Sequence, residues 1–131
     1  MPDPIVIATD FDGVLCKSKW PAIGEPKKDV IEALRDARRQ GCILILWTCR
    51  MGQLLDNALD WATDEGLCFD HVNRNAPHLI ERYDSDPRKV FAHIYLEDRA
   101  VMWPFNRLNF DQHLETVMRE RMEGSCDVRR D

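Results

Sequence analysis

Residues 4–8, Pro-Ile-Val-Ile-Ala, form a short unbroken apolar run rich in β-branched side chains, and it stops abruptly at Thr9-Asp10-Phe11-Asp12-Gly13. A strand with one wet face would alternate polar and apolar positions; a continuous run predicts a strand covered on both faces. Residues 18–26, punctuated by Pro and Gly, read as a loop. They lead into 27–40, where Val30, Ile31, Leu34 and Ala37 recur at helical spacing until Gly41 ends the helix. The unit then repeats: 42–47 predicts a second buried strand, and 53–65 a helix with Leu54, Leu55, Ala58, Leu59 and Ala62 on one face, closed by Gly66. Residues 68–72 predict a third strand, 76–83 a short helical turn, 90–96 a fourth strand and 110–122 a final helix.

Strands that alternate with helices imply parallel pairing through right-handed crossovers. The expected fold is therefore α/β, a three-layer α/β/α sandwich around a parallel, Rossmann-like sheet. Residues 1–123 are expected to form a single domain and 124–131 a flexible tail. In such sheets ligands bind beyond the carboxyl ends of the strands.

Composition narrows the class without changing that picture. A chain of 131 residues, 44% hydrophobic and 31% charged, has the make-up of one ordinary globular domain. No run approaches the roughly 20 apolar residues that span a bilayer. The N-terminus lacks a basic region followed by a long apolar stretch, so a cytoplasmic protein with no membrane partner is expected. The net charge of −5 argues against bulk nucleic-acid binding. Cys16, Cys42, Cys49, Cys68 and Cys126 are an odd set with no C-x-x-C pair, which predicts reduced and mostly buried thiols rather than disulfides or a zinc site.

The candidate chemistry lies at the predicted strand ends. In an extended backbone alternate side chains share a side, so Asp10 and Asp12 can face one site while Phe11 turns into the core. Gly13 lets the chain turn sharply there, at the edge of a substrate-binding loop. Two carboxylates this close repel, and a cation or an unequal sharing of protons relieves them, the arrangement a nucleophile and an acid/base pair require. The second strand ends in Thr48-Cys49-Arg50. Thr48 can donate to a phosphoryl oxygen, and Arg50 can grip a substrate phosphate with its fork or anchor a loop. The fourth strand ends in Glu97-Asp98, which with Asp10 offers an oxygen-rich magnesium site. Lys89, just before that strand, can neutralise Asp10 and the phosphate, with Arg82 and Arg88 as rivals.

The order Asp10-Phe11-Asp12-Gly13, Thr48, Lys89 and Glu97-Asp98, each at a strand end, resembles the haloacid dehalogenase superfamily over about residues 5–102. That resemblance implies Asp10 as the nucleophile that forms an aspartyl-phosphate, and Asp12 as the group that protonates the leaving oxygen and then activates water. It also implies Mg2+ held by the Asp10 carboxylate, the Asp12 backbone carbonyl and the Glu97-Asp98 pair, where Glu97 departs from the more common aspartate. Which of Glu97 and Asp98 touches the ion stays open. An aspartate at position 12 favours a phosphatase over a dehalogenase.

Larger members of that superfamily carry a cap, and the segments 14–26 and 72–89 are too short to hold one. The expected site is open, with Lys17, Lys19, Trp20 and Ile23 as a small flap and Asn73, Arg74, Asn75 and His78 at the rim. Such a site suits a phosphorylated macromolecule whose bulk stays outside, or a small phosphorylated substrate covered by a second subunit of a homo-oligomer. Three rivals remain. A catalytically silent binding or regulatory module would retain the fold and the ion. A phospho-accepting receiver domain carries its acidic pair and accepting aspartate in the opposite order. A metal-dependent glycosyltransferase requires a longer chain.

Overall fold

The run that starts at Ile5 forms β1 (Val6–Thr9), and every residue of it is buried. Its neighbours are β4 (Ile43–Leu46) on one side and β6 (Ile94–Leu96) on the other, both parallel to it. This computed structural model describes residues 3–100 and 103–128. Among them, β2 (Cys16–Lys19) and β3 (Ala22–Pro26) form a separate antiparallel hairpin, and β5 (His71–Val72) extends the main sheet. The helices are α1 (Lys28–Arg39), α2 (Gly52–Asp64), α3 (Pro77–Tyr83) and α4 (Arg107–Val128).

The main sheet has the order β5-β4-β1-β6, all parallel, flanked by helices. The chain moves outward from β1 to β4 to β5, then returns across β1 to β6. Strand order thus reverses between β1 and β6, the switch point where open α/β sheets leave a crevice.

Alternate residues of the central strands feed two apolar clusters. Ile7, Leu44, Leu46, Ile94 and Leu96 pack with α1, α2 and α4 through Leu34, Ala58 and Leu114; Val6, Ala8 and Ile45 pack with Leu79 of α3 and with Val90 and Ala92. Both faces are covered, which is why these strands read as unbroken apolar runs rather than alternating ones.

Four local features differ from the sequence expectation, the first being the third strand, which spans only His71–Val72 of the expected 68–72. The stretch 18–26, expected as a loop, lies largely in the β2–β3 hairpin. The fourth strand is shorter than 90–96 because Val90–Ala92 leaves the ladder: Phe91 N–H donates to Asn75 Oδ1 (2.6 Å), Ala92 N–H to the Tyr95 hydroxyl (3.2 Å), and that hydroxyl to Val90 C=O (2.7 Å). Side chains here satisfy backbone groups that a strand would have paired. The last helix starts at Arg107, where Asn106 Oδ1 accepts the Asn109 N–H at 3.0 Å, a capping contact that draws the start three residues earlier. The tail expected at 124–131 ends in residues outside the described ones, while α4 runs through Val128.

Among the described residues, Cys16 and Cys42 are buried and Cys49 and Cys68 exposed, all four free, so the expectation of mostly buried thiols holds for half of them. Burial pushes the Cys42 thiol up to about 11. No helix among the described residues is long and apolar enough to cross a membrane.

Candidate active site

The reversal of strand order sets β1 and β6 side by side, and the ladder continues one residue past β1, with Asp10 N–H donating to Leu96 C=O at 3.0 Å. Asp10 therefore sits directly beside Glu97 and Asp98. Carboxylate oxygens of these three half-buried residues all lie within 4.8 Å of one another. Burial pushes the Asp10 carboxyl up to about 7; the Phe11 N–H bond to its Oδ1 (2.7 Å) opposes this, and the Glu97 and Asp98 charges reinforce it. Among the described residues no lysine, arginine or histidine forms an ion pair with any of the three. A like-charged, oxygen-only cluster without a cationic partner fits a hard divalent cation such as Mg2+. Both Glu97 and Asp98 belong to the cluster, so either can supply a ligand.

The turn after Asp10 is held by backbone bonds from Leu15 N–H to Phe11 C=O (2.9 Å) and from Gly13 N–H to Cys16 C=O (2.9 Å). Gly13 adopts φ +84°, and a Cβ there would lie 2.1 Å from Asp98 Oδ2. Its role is thus steric: a side chain at position 13 would occupy the space of a cluster carboxylate. Lys27, which nothing in the sequence marks as part of a site, donates from Nζ to Gly13 C=O at 2.9 Å and lies 5.8 Å from the Trp103 ring centroid.

The Asp12 carboxylate is not among the clustered ones and pairs instead with Arg50. Both its oxygens accept from Arg50, Oδ2 from Nε at 2.9 Å and Oδ1 from a terminal nitrogen at 2.7 Å. Arg50 is 1% exposed and its remaining N–H groups reach Ala22 C=O (3.0 Å), Pro21 C=O (3.2 Å) and, at the limit of a hydrogen bond, Leu54 C=O (3.5 Å). The Phe11 and Trp20 ring centroids each lie 5.0 Å from its central carbon. All five donors are spent, so Arg50 does not serve as the substrate-phosphate contact considered from the sequence. It takes the other role weighed there, a loop anchor. Trp20, 55% exposed, lies over Arg50 at the hairpin tip.

Thr48 follows β4 on the other flank of β1. Its hydroxyl oxygen accepts the Arg50 N–H at 3.1 Å, which leaves its own proton to donate. Asn73, at φ +53°, clamps the backbone of Thr48 from both sides: Oδ1 accepts its N–H at 2.8 Å, and Nδ2 donates to its C=O at 2.9 Å. The sequence placed Asn73 only at the rim; the adjoining polar pair Asn73-Arg74 after a strand carried no sign of the clamp.

Of the cations weighed beside Asp10, Arg82 pairs with Asp3, ahead of β1 and so at the opposite end of the sheet, and is removed as a candidate. Lys89 is exposed and its Nζ lies 5.7 Å from the Tyr95 ring centroid, two residues before Glu97. Arg88 is exposed on the same segment. The structure thus brings together Asp10, Gly13, Glu97 and Asp98, ties Asp12 to Arg50 and Arg50 to Thr48, and leaves Lys89 without an ion pair among the described residues.

No protein-family model matches this chain, and no curated protein matches it significantly. Among solved structures it is similar to a conserved protein from Bacteroides thetaiotaomicron, with 28% identity and a TM-score of 0.70 over 98% of this chain and 100% of the other. That likeness extends the α/β architecture over nearly the whole length of both chains.

Proposed function

We propose that this chain is a magnesium-dependent phosphomonoester hydrolase of the haloacid dehalogenase type that works through an aspartyl-phosphate on Asp10. The observation that carries the reading is the convergence of Asp10, Glu97 and Asp98 at two adjacent strand ends, with oxygens within 4.8 Å and Asp12 two residues along. Such a cluster is costly unless a cation is held there, and a carboxylate beside a cation is positioned to attack a phosphorus atom.

Asp10, Glu97 and Asp98 would hold the ion, which offsets their mutual repulsion and draws charge from the phosphoryl oxygens. An Asp10 oxygen attacks phosphorus, and the ester P–O bond breaks as the new O–P bond forms. Asp12, released from one Arg50 bond and carrying a proton taken from solvent, gives that proton to the departing oxygen, and the alcohol leaves. Water then attacks the phosphorus of the aspartyl-phosphate while Asp12 takes up its proton, so inorganic phosphate departs and Asp10 is restored. Thr48 donates its hydroxyl proton to a phosphoryl oxygen, and Lys89, free of any ion pair with a described residue, supplies positive charge to the phosphate. The substrate is a phosphorylated molecule, small or macromolecular.

One observation favours a second reading. Both Asp12 oxygens are taken up by Arg50. A chain that never released them would be a metal-binding module with no turnover.

The deciding experiment is phosphate release from a panel of phosphomonoesters with and without magnesium, for the wild type and Asp10→Asn. Magnesium-dependent turnover that vanishes in Asp10→Asn supports hydrolysis. A folded, magnesium-binding wild type that turns over no ester supports the silent module.

A further inference from the structure

Resting on the hydrolase reading, we infer that Arg50 is a positioning residue that couples the β2–β3 hairpin tip to the Asp12 carboxylate, so that proton delivery to the leaving oxygen depends on where the hairpin sits. Four observations meet in this residue, three of its side chain and one of its backbone N–H. It holds both Asp12 oxygens, at 2.9 and 2.7 Å. Its other N–H groups bind two carbonyls of the hairpin tip, Pro21 and Ala22, and one of α2, Leu54. Its guanidinium lies between Phe11, which directly precedes Asp12, and Trp20 at the tip, each 5.0 Å away. Its own N–H rests on the Thr48 hydroxyl.

A buried guanidinium with five committed donors cannot shift toward one partner without leaving another unpaired, so its partners move together. Asp12 must give up at least one Arg50 bond to reach a leaving oxygen. Where the freed oxygen then points depends on how firmly Pro21 and Ala22 hold the guanidinium that retains the other one. Trp20 is the exposed end of the linkage: one ring face lies over Arg50, and more than half of the residue stays open to solvent or substrate. A substrate that contacts Trp20 would thereby act on Asp12 through Arg50, at a group it never touches.

The linkage predicts a leaving-group signature. An ester with a poor leaving group requires a proton as its P–O bond breaks, whereas p-nitrophenyl phosphate, whose phenolate departs readily, requires it far less. Arg50→Lys retains the charge but not the fork. It is expected to slow an alkyl phosphate such as glycerol phosphate at least tenfold more than p-nitrophenyl phosphate, with magnesium affinity unchanged. In an Asp12→Asn background the same change is expected to add little further loss, because the two residues act as a unit. Should Arg50→Lys fail to fold, Trp20→Ala at the exposed tip is expected to give the same selective loss in smaller degree.

Equal losses on both esters from Arg50→Lys, or from Trp20→Ala where Arg50→Lys does not fold, would overturn the coupling, because a purely structural role lowers both rates alike. Losses that add fully in the Asp12→Asn background would overturn it as well, and both results leave the hydrolase reading standing. A wild type inactive on both esters would overturn the two together.

Discussion

Replacing Gly13 with alanine has two separable costs, and the structure supplies a control for one of them. At φ +84° an alanine pays left-handed backbone strain of about 1–2 kcal/mol. With an unfolding entropy of about 2.1 cal/mol/K per residue, this chain of 131 residues loses about 4 °C of Tm per kcal/mol, so strain alone lowers Tm by roughly 4–7 °C. The second cost is steric. The new Cβ would fall 2.1 Å from Asp98 Oδ2 and 2.6 Å from its Cγ. To restore ordinary contact the Asp98 carboxylate must retreat by about 1 Å or more, out of the acidic cluster. Displacing a group that supports a metal typically weakens affinity by about ten- to a hundred-fold. Gly41 is the control: its φ is +98°, but its Cβ position meets nothing within 4 Å. Gly41→Ala should therefore show the drop in Tm without the loss in magnesium affinity, and Gly13→Ala should show both. Thermal unfolding across a magnesium titration measures the two quantities in one experiment. Equal magnesium affinity in the two variants would refute the placement of Asp98 in a metal site bounded by Gly13.

Other predictions address the periphery of the site and the opposite end of the sheet. Asn73→Ala removes both bonds that fix the Thr48 backbone, at 2.8 and 2.9 Å and worth about 1 kcal/mol each; kcat/KM should fall several-fold. Unchanged kcat/KM in Asn73→Ala would show that Thr48 needs no clamp. His93 Nδ1 accepts the Val6 N–H at 2.9 Å, and burial, with the nearby Arg121 charge, holds this imidazole down at about 4 instead of 6.5. The unfolded chain binds that proton more readily, so this contribution to stability is complete above about pH 6.5 and is lost as pH falls toward 4. Urea midpoints should decline over that interval, and His93→Asn should flatten the decline; an equally steep decline in His93→Asn would remove His93 as its source.

The sheet was legible because its message is local. A run such as residues 4–8, too short for a helix and rich in β-branched side chains, reads as a strand covered on both faces, and the parallel order follows from the helices between such runs. The acidic cluster was legible for the same reason: Asp10, Glu97 and Asp98 are strand-end residues, and the ladder between β1 and β6 carries them together. The hairpin was not. Cys16–Lys19 buries only its first residue, so no period of two marks it. The partner of Arg50 was not legible either, because its bond to Asp12 joins residues 38 positions apart through a side chain threaded between two rings. Spacing along the chain places a guanidinium at a sheet edge but does not say whether its donors face a substrate or the protein.

The most direct test of the account is chemical capture of phosphorus on Asp10. Asp12→Asn should still allow Asp10 to attack an ester with a good leaving group, but it should slow the attack of water, so the phosphoryl group accumulates on the protein. Acid-quenched samples incubated with radiolabelled p-nitrophenyl phosphate and magnesium are digested and the labelled peptide sequenced. The account predicts label on Asp10, absent in Asp10→Asn/Asp12→Asn and absent without magnesium. Wild-type turnover with no label on Asp10 in the Asp12→Asn protein would mean that water attacks the substrate directly, and the aspartyl-phosphate mechanism would be wrong.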